Sequence, residues 1–150
     1  MFCNIKNELD NPTVRKLVSE SAYDQSIEAT DRRMEEFRSR NDLHLYGWLE
    51  NDKYLGVCGV EVHSDCVVIR NIAVEPNARK HGIGKAMITA VQQKYKTDVK
   101  AETDDGAVEF YQKCGFETEG FMKTYSDGEC QRYKCVLLFS ENNLFQERNN

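Results

Sequence analysis

The chain has 150 residues, of which 40% are hydrophobic and 30% charged, so it is long enough for one domain with a buried core. Its net charge of −5 and pI of about 5.3 argue against nucleic acid or anionic membrane as the main partner, because both select basic surfaces. No apolar stretch reaches the ~18 residues of a transmembrane helix, and the N-terminus lacks the features of a secretory signal. We therefore expect a single cytoplasmic domain spanning residues 1–150.

The cysteines and histidines do not form a metal-binding or disulfide pattern. Four of the six cysteines lie inside apolar runs or on an apolar helical face, which is typical of free, buried thiols. The sequence has no Cys-x-x-Cys and no Cys/His cluster. We expect a reduced protein that uses no metal.

The first part of the chain predicts one short strand and two helices. Weak alternation over residues 3–6 indicates the strand. Asn11-Pro12 is typical of a helix start, because Asn is a good N-cap and Pro suits the first helical position. A second helix is predicted from Ser26 to about Arg38, with a thin apolar face and dense charge.

The middle of the chain predicts three consecutive strands followed by a helix. Two strands, 43–50 and 54–63, are joined by a polar turn, and an apolar, β-branched run then covers residues 66–74. The pair Arg70-Asn71 interrupts this central strand, and Pro76 ends it. Apolar residues then recur at helical spacing from Ile83 to Tyr95, so a helix begins near Gly82.

The last third of the chain predicts a strand, a helix and a hairpin. The strand covers residues 98–102, and the helix contains Tyr111. The hairpin pairs residues 116–125 with 131–139 and turns at residues 126–129, where Asp-Gly is a good hairpin signal. The polar tail from about residue 140 is expected to be flexible.

The loop between the central strand and the helix at Gly82 has the form of an anion site. The first N–H groups of a helix have no intrahelical partner, and the helix dipole favours negative charge there. Gly82 and Gly84 let a phosphate approach the backbone without a Cβ in the way. The spacing is that of neither a P-loop nor a Rossmann fingerprint, which would need a third glycine.

Two segments together resemble a known family. Residues 79–84 read Arg-x-x-Gly-x-Gly, and residues 107–116 read A-x-x-F-Y-x-K-x-G-F. Both match signatures of the GNAT superfamily of acyl-CoA-dependent N-acyltransferases, in the expected order, and the resemblance covers residues 45–116. It implies an α+β fold, with a mostly antiparallel sheet of six to seven strands, about four helices, and two central parallel strands that splay apart.

The resemblance also implies an activity and a cosubstrate. We expect an N-acetyltransferase (EC 2.3.1.-) that transfers the acetyl group of acetyl-CoA to a primary amine of a small molecule or peptide by direct attack in a ternary complex. The implied cofactor-binding residues are Ile72, Ala73, Val74, Arg79, Lys80, His81, Gly82, Ile83, Gly84, Lys85, Asp104 and Tyr111.

Two residues of this set have an alternative structural role. The resemblance makes Tyr111 the general acid for the leaving thiolate, whereas its position on an apolar helical face also suits a core aromatic residue with its hydroxyl bonded elsewhere. Asp104 stands where many family members carry an Asn that touches the cofactor arm. It is equally suited to capping the following helix.

The general base has no clear candidate. Some family members carry a Glu in the central strand, but residues 67–69 include no carboxylate. Glu61, His63 and a water relay stay open. Cys114 is not expected to act as a nucleophile, because it lies on an apolar helical face and no His partner is apparent.

The acceptor and the assembly are the least defined features. Glu102, Asp104 and Asp105 would suit a cationic amine, such as a polyamine, an aminoglycoside-like sugar, an amino acid or a lysine side chain, or they simply keep the surface soluble. The alternative function is a non-catalytic acyl-CoA sensor or partner domain with the same fold. The resemblance also leaves a homodimer open, with the last hairpin as an interface.

Overall fold

A computed structural model describes residues 1–141 as a seven-stranded sheet flanked by four α-helices. The strands are β1 (Phe2–Asn4), β2 (Leu43–Glu50), β3 (Lys53–Val62), β4 (Cys66–Val74), β5 (Asp98–Thr103), β6 (Glu117–Tyr125) and β7 (Gly128–Leu137). The helices are α1 (Pro12–Glu20), α2 (Ile27–Ser39), α3 (Ile83–Tyr95) and α4 (Val108–Lys113). This confirms the predicted α+β class; the expected flexible tail lies almost wholly outside the described residues.

The sheet order is β1-β2-β3-β4-β5-β7-β6, and only β4 and β5 run parallel. Side chains of α3 and α4 pack with one face of the sheet, in a core that includes Met87, Val91 and Tyr111. Those of α1 and α2 pack with the other face, around Leu17 and Phe37. Both faces of the central strands are therefore buried, which explains the nearly continuous apolar run of β4.

Local signals set the helix starts. The side chain of Asn11 accepts hydrogen bonds from the amides of Thr13 and Val14, and that of Ser26 accepts one from Ala29. These bonds satisfy backbone donors that have no partner inside the helix. The predicted starts of α1 and α2 are confirmed.

Two-residue turns join both hairpins that the sequence predicted. Asn51 and Asp52, between β2 and β3, have φ of +50° and +62°, as the tight turn between twisted strands requires. In the last hairpin, Tyr125 pairs with Gly128, so the turn is Ser126-Asp127. The predicted turn over residues 126–129 was too long, because Gly128 already begins β7 opposite Tyr125. Gly128 adopts a φ of +131°, which glycine tolerates.

The two parallel strands separate soon after they meet. Only Cys66, Val67 and Val68 of β4 pair with β5, at Asp98, Val99 and Lys100. Beyond these pairs, residues 69–74 and 101–103 diverge, and we call the space between them the β4–β5 gap. A β-bulge against β3 leaves Arg70 as an extra residue between Ile69 and Asn71. The implied splay is confirmed.

The cysteines are free thiols throughout the described residues. Cys58, Cys66 and Cys135 are buried, whereas Cys114 is half-buried and Cys130 is exposed. Within residues 1–141 no His, Cys, Asp and Glu side chains cluster as a metal site would require. None of the helices in that part of the chain is both long and apolar enough to cross a membrane.

Candidate active site

One wall of the β4–β5 gap is the second half of β4. Pairing between β3 and β4 continues from Gly59 opposite Asn71 to Gly56 opposite Val74. Among residues 1–141, no strand pairs with the other edge of this segment. Because backbone groups of an antiparallel strand alternate in direction, some of the N–H and C=O groups of residues 72–74 point into the gap. The Glu75 amide donates to the Leu55 carbonyl of β3, so Ala73, two residues earlier, also directs its backbone groups to β3. The free backbone donors of this segment are therefore those of Ile72 and Val74.

The loop after β4 folds back onto the end of that strand. The Nε atom of Arg79 donates a hydrogen bond to the Val74 carbonyl at 3.0 Å. Lys80 and Gly82 both have left-handed backbone, with φ of +67° and +81°. The loop thus brings Arg79, Lys80, His81 and Gly82 together beside the end of the strand wall.

The N-terminus of α3 presents unsatisfied donors at the same place. Gly82 caps the helix without a side-chain hydrogen bond, unlike Asn11 and Ser26 on the first two helices. The first backbone bond into the helix runs from Ala86 to Gly82, so the amides of residues 83–85 have no intrahelical acceptor. With Lys80 and Lys85 exposed nearby, this end of the helix has the donors and the charge to bind a phosphate.

The two glycines of the loop serve different purposes. A Cβ atom on Gly82 would meet nothing within 4 Å, so that side of the loop is open to a ligand. A Cβ on Gly84 would lie 2.9 Å from the Phe110 ring. Gly84 is therefore needed for close contact between α3 and α4, which corrects the sequence-based explanation that it clears space for a phosphate. The contact also joins the two signature segments.

Tyr111 lies in the core between two aromatic rings. Its side chain is 5% exposed, and the rings of Phe110 and Phe116 lie edge-on at 5.2 and 5.1 Å. Burial, followed by the neighbouring thiols of Cys58 and Cys135, raises the pKa of Tyr111 well above its usual value. The hydroxyl therefore stays protonated at neutral pH.

The Tyr111 hydroxyl makes no hydrogen bond to any residue in the range 1–141. The alternative role is thus only half confirmed: the ring is a core aromatic, but its hydroxyl is not bonded elsewhere. It is also absent from the fully buried, unpartnered polar atoms of this range, which are Glu20 Oε2 and His44 Nδ1. The hydroxyl is therefore free to donate to a ligand.

Asp104 closes the turn that precedes α4. Its Oδ1 atom accepts hydrogen bonds from the amides of Gly106 at 3.0 Å and Ala107 at 3.2 Å. The N-cap of α4 is Ala107, which makes no side-chain cap hydrogen bond, so the predicted N-cap role of Asp104 was wrong: its side chain stabilises the turn instead. Contact between this side chain and the cofactor stays a prediction.

Glu61 is held in an ion-pair network. Arg40 and Arg70 both pair with its Oε1 atom, and His63 Nε2 lies 3.0 Å from Oε2. Partial burial raises the pKa of Glu61, but the hydrogen bonds from Arg40 and His63 outweigh this effect, so the pKa is lowered. A carboxylate with a lowered pKa is a weaker base. The only sequence signal of this network is the polar pair Arg70-Asn71, which interrupts an apolar run.

The carboxylates predicted to suit a cationic acceptor are also engaged. Glu102 pairs with Lys123 at 3.3 Å and with Arg132 at 3.1 Å. Asp105 accepts a hydrogen bond from the Tyr133 hydroxyl at 2.7 Å. The sequence identified the acidic residues but missed their partners, because these come from the last two strands.

Comparison with known proteins identifies the family. The model of the GNAT acetyltransferase family matches residues 11–116. An uncharacterised N-acetyltransferase in the lysA 3′ region of Bacillus methanolicus is 28% identical over 99 residues, which cover 65% of this chain and 82% of that protein. The chain therefore belongs to the GNAT family of acetyltransferases, as the two motifs predicted.

Solved structures agree in fold. An aminoglycoside 6′-N-acetyltransferase complexed with coenzyme A has a TM-score of 0.73 at 12% identity, covering 92% of this chain and 96% of its own. The ribosomal-protein-S18-alanine N-acetyltransferase from Escherichia coli has a TM-score of 0.67 at 16% identity, with 93% and 94% covered. Family and fold together support acetyl transfer with acetyl-CoA as the cosubstrate.

Proposed function

We propose that this protein transfers the acetyl group of acetyl-CoA to a primary amine by direct attack in a ternary complex. The observation that carries the proposal is that the β4–β5 gap adjoins the open N-terminus of α3. The amides of residues 83–85, with Lys80, His81 and Lys85, would bind the pyrophosphate. The pantetheine arm would lie in the gap along Ile72, Ala73 and Val74.

The residues of the gap supply two parts of the chemistry. Free N–H groups of β4 would polarise the thioester carbonyl as the amine attacks it. When the carbon–sulfur bond breaks, the Tyr111 hydroxyl would donate its proton to the leaving thiolate, and the attacking amine would release its own. Glu61 is poorly suited to accept that proton because two arginines hold it. We propose a water relay for this step.

We also propose that residues 1–150 act as one domain. The homodimer stays a prediction. Strand β6 is an edge strand of the sheet formed by residues 1–141, so it is the part of the last hairpin that a second copy would extend.

A second candidate function is acyl-CoA sensing without turnover. It is favoured by the missing carboxylate in residues 67–69 and by the ion pairs that hold Glu61. The two functions differ in one result. Acetyl-CoA binding with no thiol release across a broad amine panel would identify the sensor.

The deciding experiment compares thermal melting with and without acetyl-CoA for the wild type, Gly82→Trp and Gly82→Ala. Both variants place a side chain on the same left-handed backbone, so both should lose a similar amount of stability. Only Trp fills the open space beside the loop. A ligand that binds the folded state raises Tm by mass action.

We expect acetyl-CoA to raise Tm for the wild type and largely for Gly82→Ala, but not for Gly82→Trp. Thiol release with an amine panel then measures turnover. If saturating acetyl-CoA leaves the wild-type Tm unchanged, the proposed function is wrong. If Gly82→Trp responds like the wild type, the phosphate does not bind at the α3 N-terminus.

A further inference from the structure

Half of one sheet face is left open by the helices. Along β5 and β7, the side chains of Val99, Ala101 and Cys135 face the core beneath α3 and α4. Lys100, Glu102 and Lys134 alternate with the core residues and are exposed on the opposite face. Since α1 and α2 pack against the earlier strands, no described helix covers this half, and an acceptor can reach the β4–β5 gap across it.

Two cations converge on a single carboxylate oxygen on this open face. Arg132 Nε and Nη2 lie 3.3 and 3.1 Å from Glu102 Oε2, and Lys123 Nζ lies 3.3 Å from the same atom. One carboxylate cannot neutralise both cations, so the group retains one positive charge. Within residues 1–141, Arg132 Nη1 makes no hydrogen bond. Unused donors and unbalanced charge are thus available to an anion.

Arg132 and Lys123, the two cations that share Glu102, lie beside the opening of the gap. Glu102 lies two residues beyond Lys100, the last β5 residue that pairs with β4. Arg70 lies two residues beyond Val68, on the opposite wall. No ion pair joins Arg70 to Glu102 within the described chain, because each has partners elsewhere. Arginine side chains therefore flank the opening on both sides.

The two carboxylates that line the opening, Glu61 and Glu102, already pair with cations. Glu36 and Glu61 share Arg70 and Arg40, and Arg40 also pairs with Asp42. The surplus of positive charge therefore lies at Glu102, which pairs with both Arg132 and Lys123. A cationic acceptor would have to compete with these cations, whereas an anionic group would find free donors. Exposed ion pairs are weak, so their rearrangement around an anion has a small free-energy cost.

We propose that the acceptor amine carries an anionic group, a carboxylate or a phosphate, which binds Arg132 and Lys123 while the amine enters the β4–β5 gap. The proposal rests on the proposed function, because it assigns the acceptor of that same site. It replaces the cationic acceptor that the acidic composition suggested.

The test uses pairs of amines that differ only in the anionic group. Alanine is compared with alaninamide, and phosphoethanolamine with ethanolamine, by thiol release at saturating acetyl-CoA. The variants are Arg132→Gln/Lys123→Gln, Glu102→Gln, and Lys53→Gln as the control for a lost charge, because Lys53 begins β3, three strands from β7 in the sheet. Each amine is also tested for a Tm shift in the presence of coenzyme A, so binding is measured even without turnover.

We expect the wild type to prefer the anionic member of at least one pair, and which pair responds distinguishes carboxylate from phosphate. The double variant should reduce this preference about tenfold, chiefly through KM, as the loss of charge-assisted hydrogen bonds implies. Glu102→Gln should increase the preference, and Lys53→Gln should not change it. Preference for the neutral amines, an equal effect of the double variant on both members, or no anion-dependent rate or Tm shift would overturn the proposal. Acetyl-CoA stabilisation with turnover of neutral amines would leave the proposed function intact.

Discussion

Tyr111 combines a packing role with the proposed catalytic one. Its ring contacts Phe110 and Phe116 in the core, while its hydroxyl has no hydrogen-bond partner among residues 1–141. Removing the hydroxyl should therefore disturb the fold very little, since no hydrogen bond is lost. This separates the effect on chemistry from the effect on stability.

We predict that Tyr111→Phe lowers kcat about 100-fold, the usual scale for loss of a general acid. Its free energy of unfolding should stay within about 0.5 kcal/mol of the wild type. Thiol release at saturating acetyl-CoA measures kcat, and the Tm shift with acetyl-CoA should be retained as the control for binding. An unchanged kcat would mean that Tyr111 is only a core residue.

The ion pairs of Glu61 predict that part of the free energy of unfolding depends on pH. Its pKa is lowered from 4.5 in the folded protein, so its ion pairs stabilise the fold above about pH 4.5. This stabilisation is lost as the pH falls through the folded-state pKa. Glu61→Gln should therefore cost about 1 kcal/mol at pH 7 and progressively less in acid.

Denaturant unfolding of Glu61→Gln between pH 7 and pH 3 measures this dependence. Glu117→Gln is the control, because Glu117 is exposed and forms no ion pair within the described residues. A constant difference between Glu61→Gln and the wild type across this pH range would contradict the assigned role of the network.

At the scale of elements, helix α3 is bounded by strained lysines. Lys80, in the loop before the helix, has φ of +67°, and Lys96, its C-cap, has φ of +52°. Side chains with a Cβ disfavour this left-handed conformation, whereas glycine adopts it freely. Both positions offer a gain in stability, but only Lys80 lies beside the proposed phosphate site.

We predict that Lys80→Gly and Lys96→Gly each stabilise the protein by about 0.5–1 kcal/mol. Lys80→Gly should also weaken acetyl-CoA binding several-fold, because it removes a cation near the pyrophosphate. Lys96→Gly is the matched control and should leave the affinity unchanged. Thermal melting and titration with acetyl-CoA measure both effects, and equal affinities for the two variants would exclude a phosphate contact of Lys80.

At the scale of the whole molecule, the sheet has a well-supported centre and an extended arm. Strands β3 and β4 pair with each other over residues 56–62 and 67–74 and are covered on both faces. The contact between β5 and β7 ends at Thr103 and Tyr133, so residues 121–132 pair only within the last hairpin. A two-stranded ribbon is marginally stable by itself.

We predict that amides of this arm exchange with deuterium much faster than those of β3, because local opening there exposes little buried apolar surface. Hydrogen exchange measured by mass spectrometry at several protein concentrations tests this directly. Exchange that slows as the concentration rises would show that a second copy covers the arm. Protection equal to that of β3 at low concentration would contradict the prediction.

The order of the elements, most of their limits and the family could all be predicted from the sequence. These features depend on short-range patterns, such as apolar spacing in α3, the caps Asn11 and Ser26, and the two motifs. Three contacts could be seen only in the folded chain: Gly84 allows α3 to contact Phe110, two arginines pair with Glu61, and Arg132 and Lys123 share Glu102. These contacts join segments far apart in the chain. Only the packing of the helices and strands brings these residues into contact, and no local periodicity encodes which partners meet.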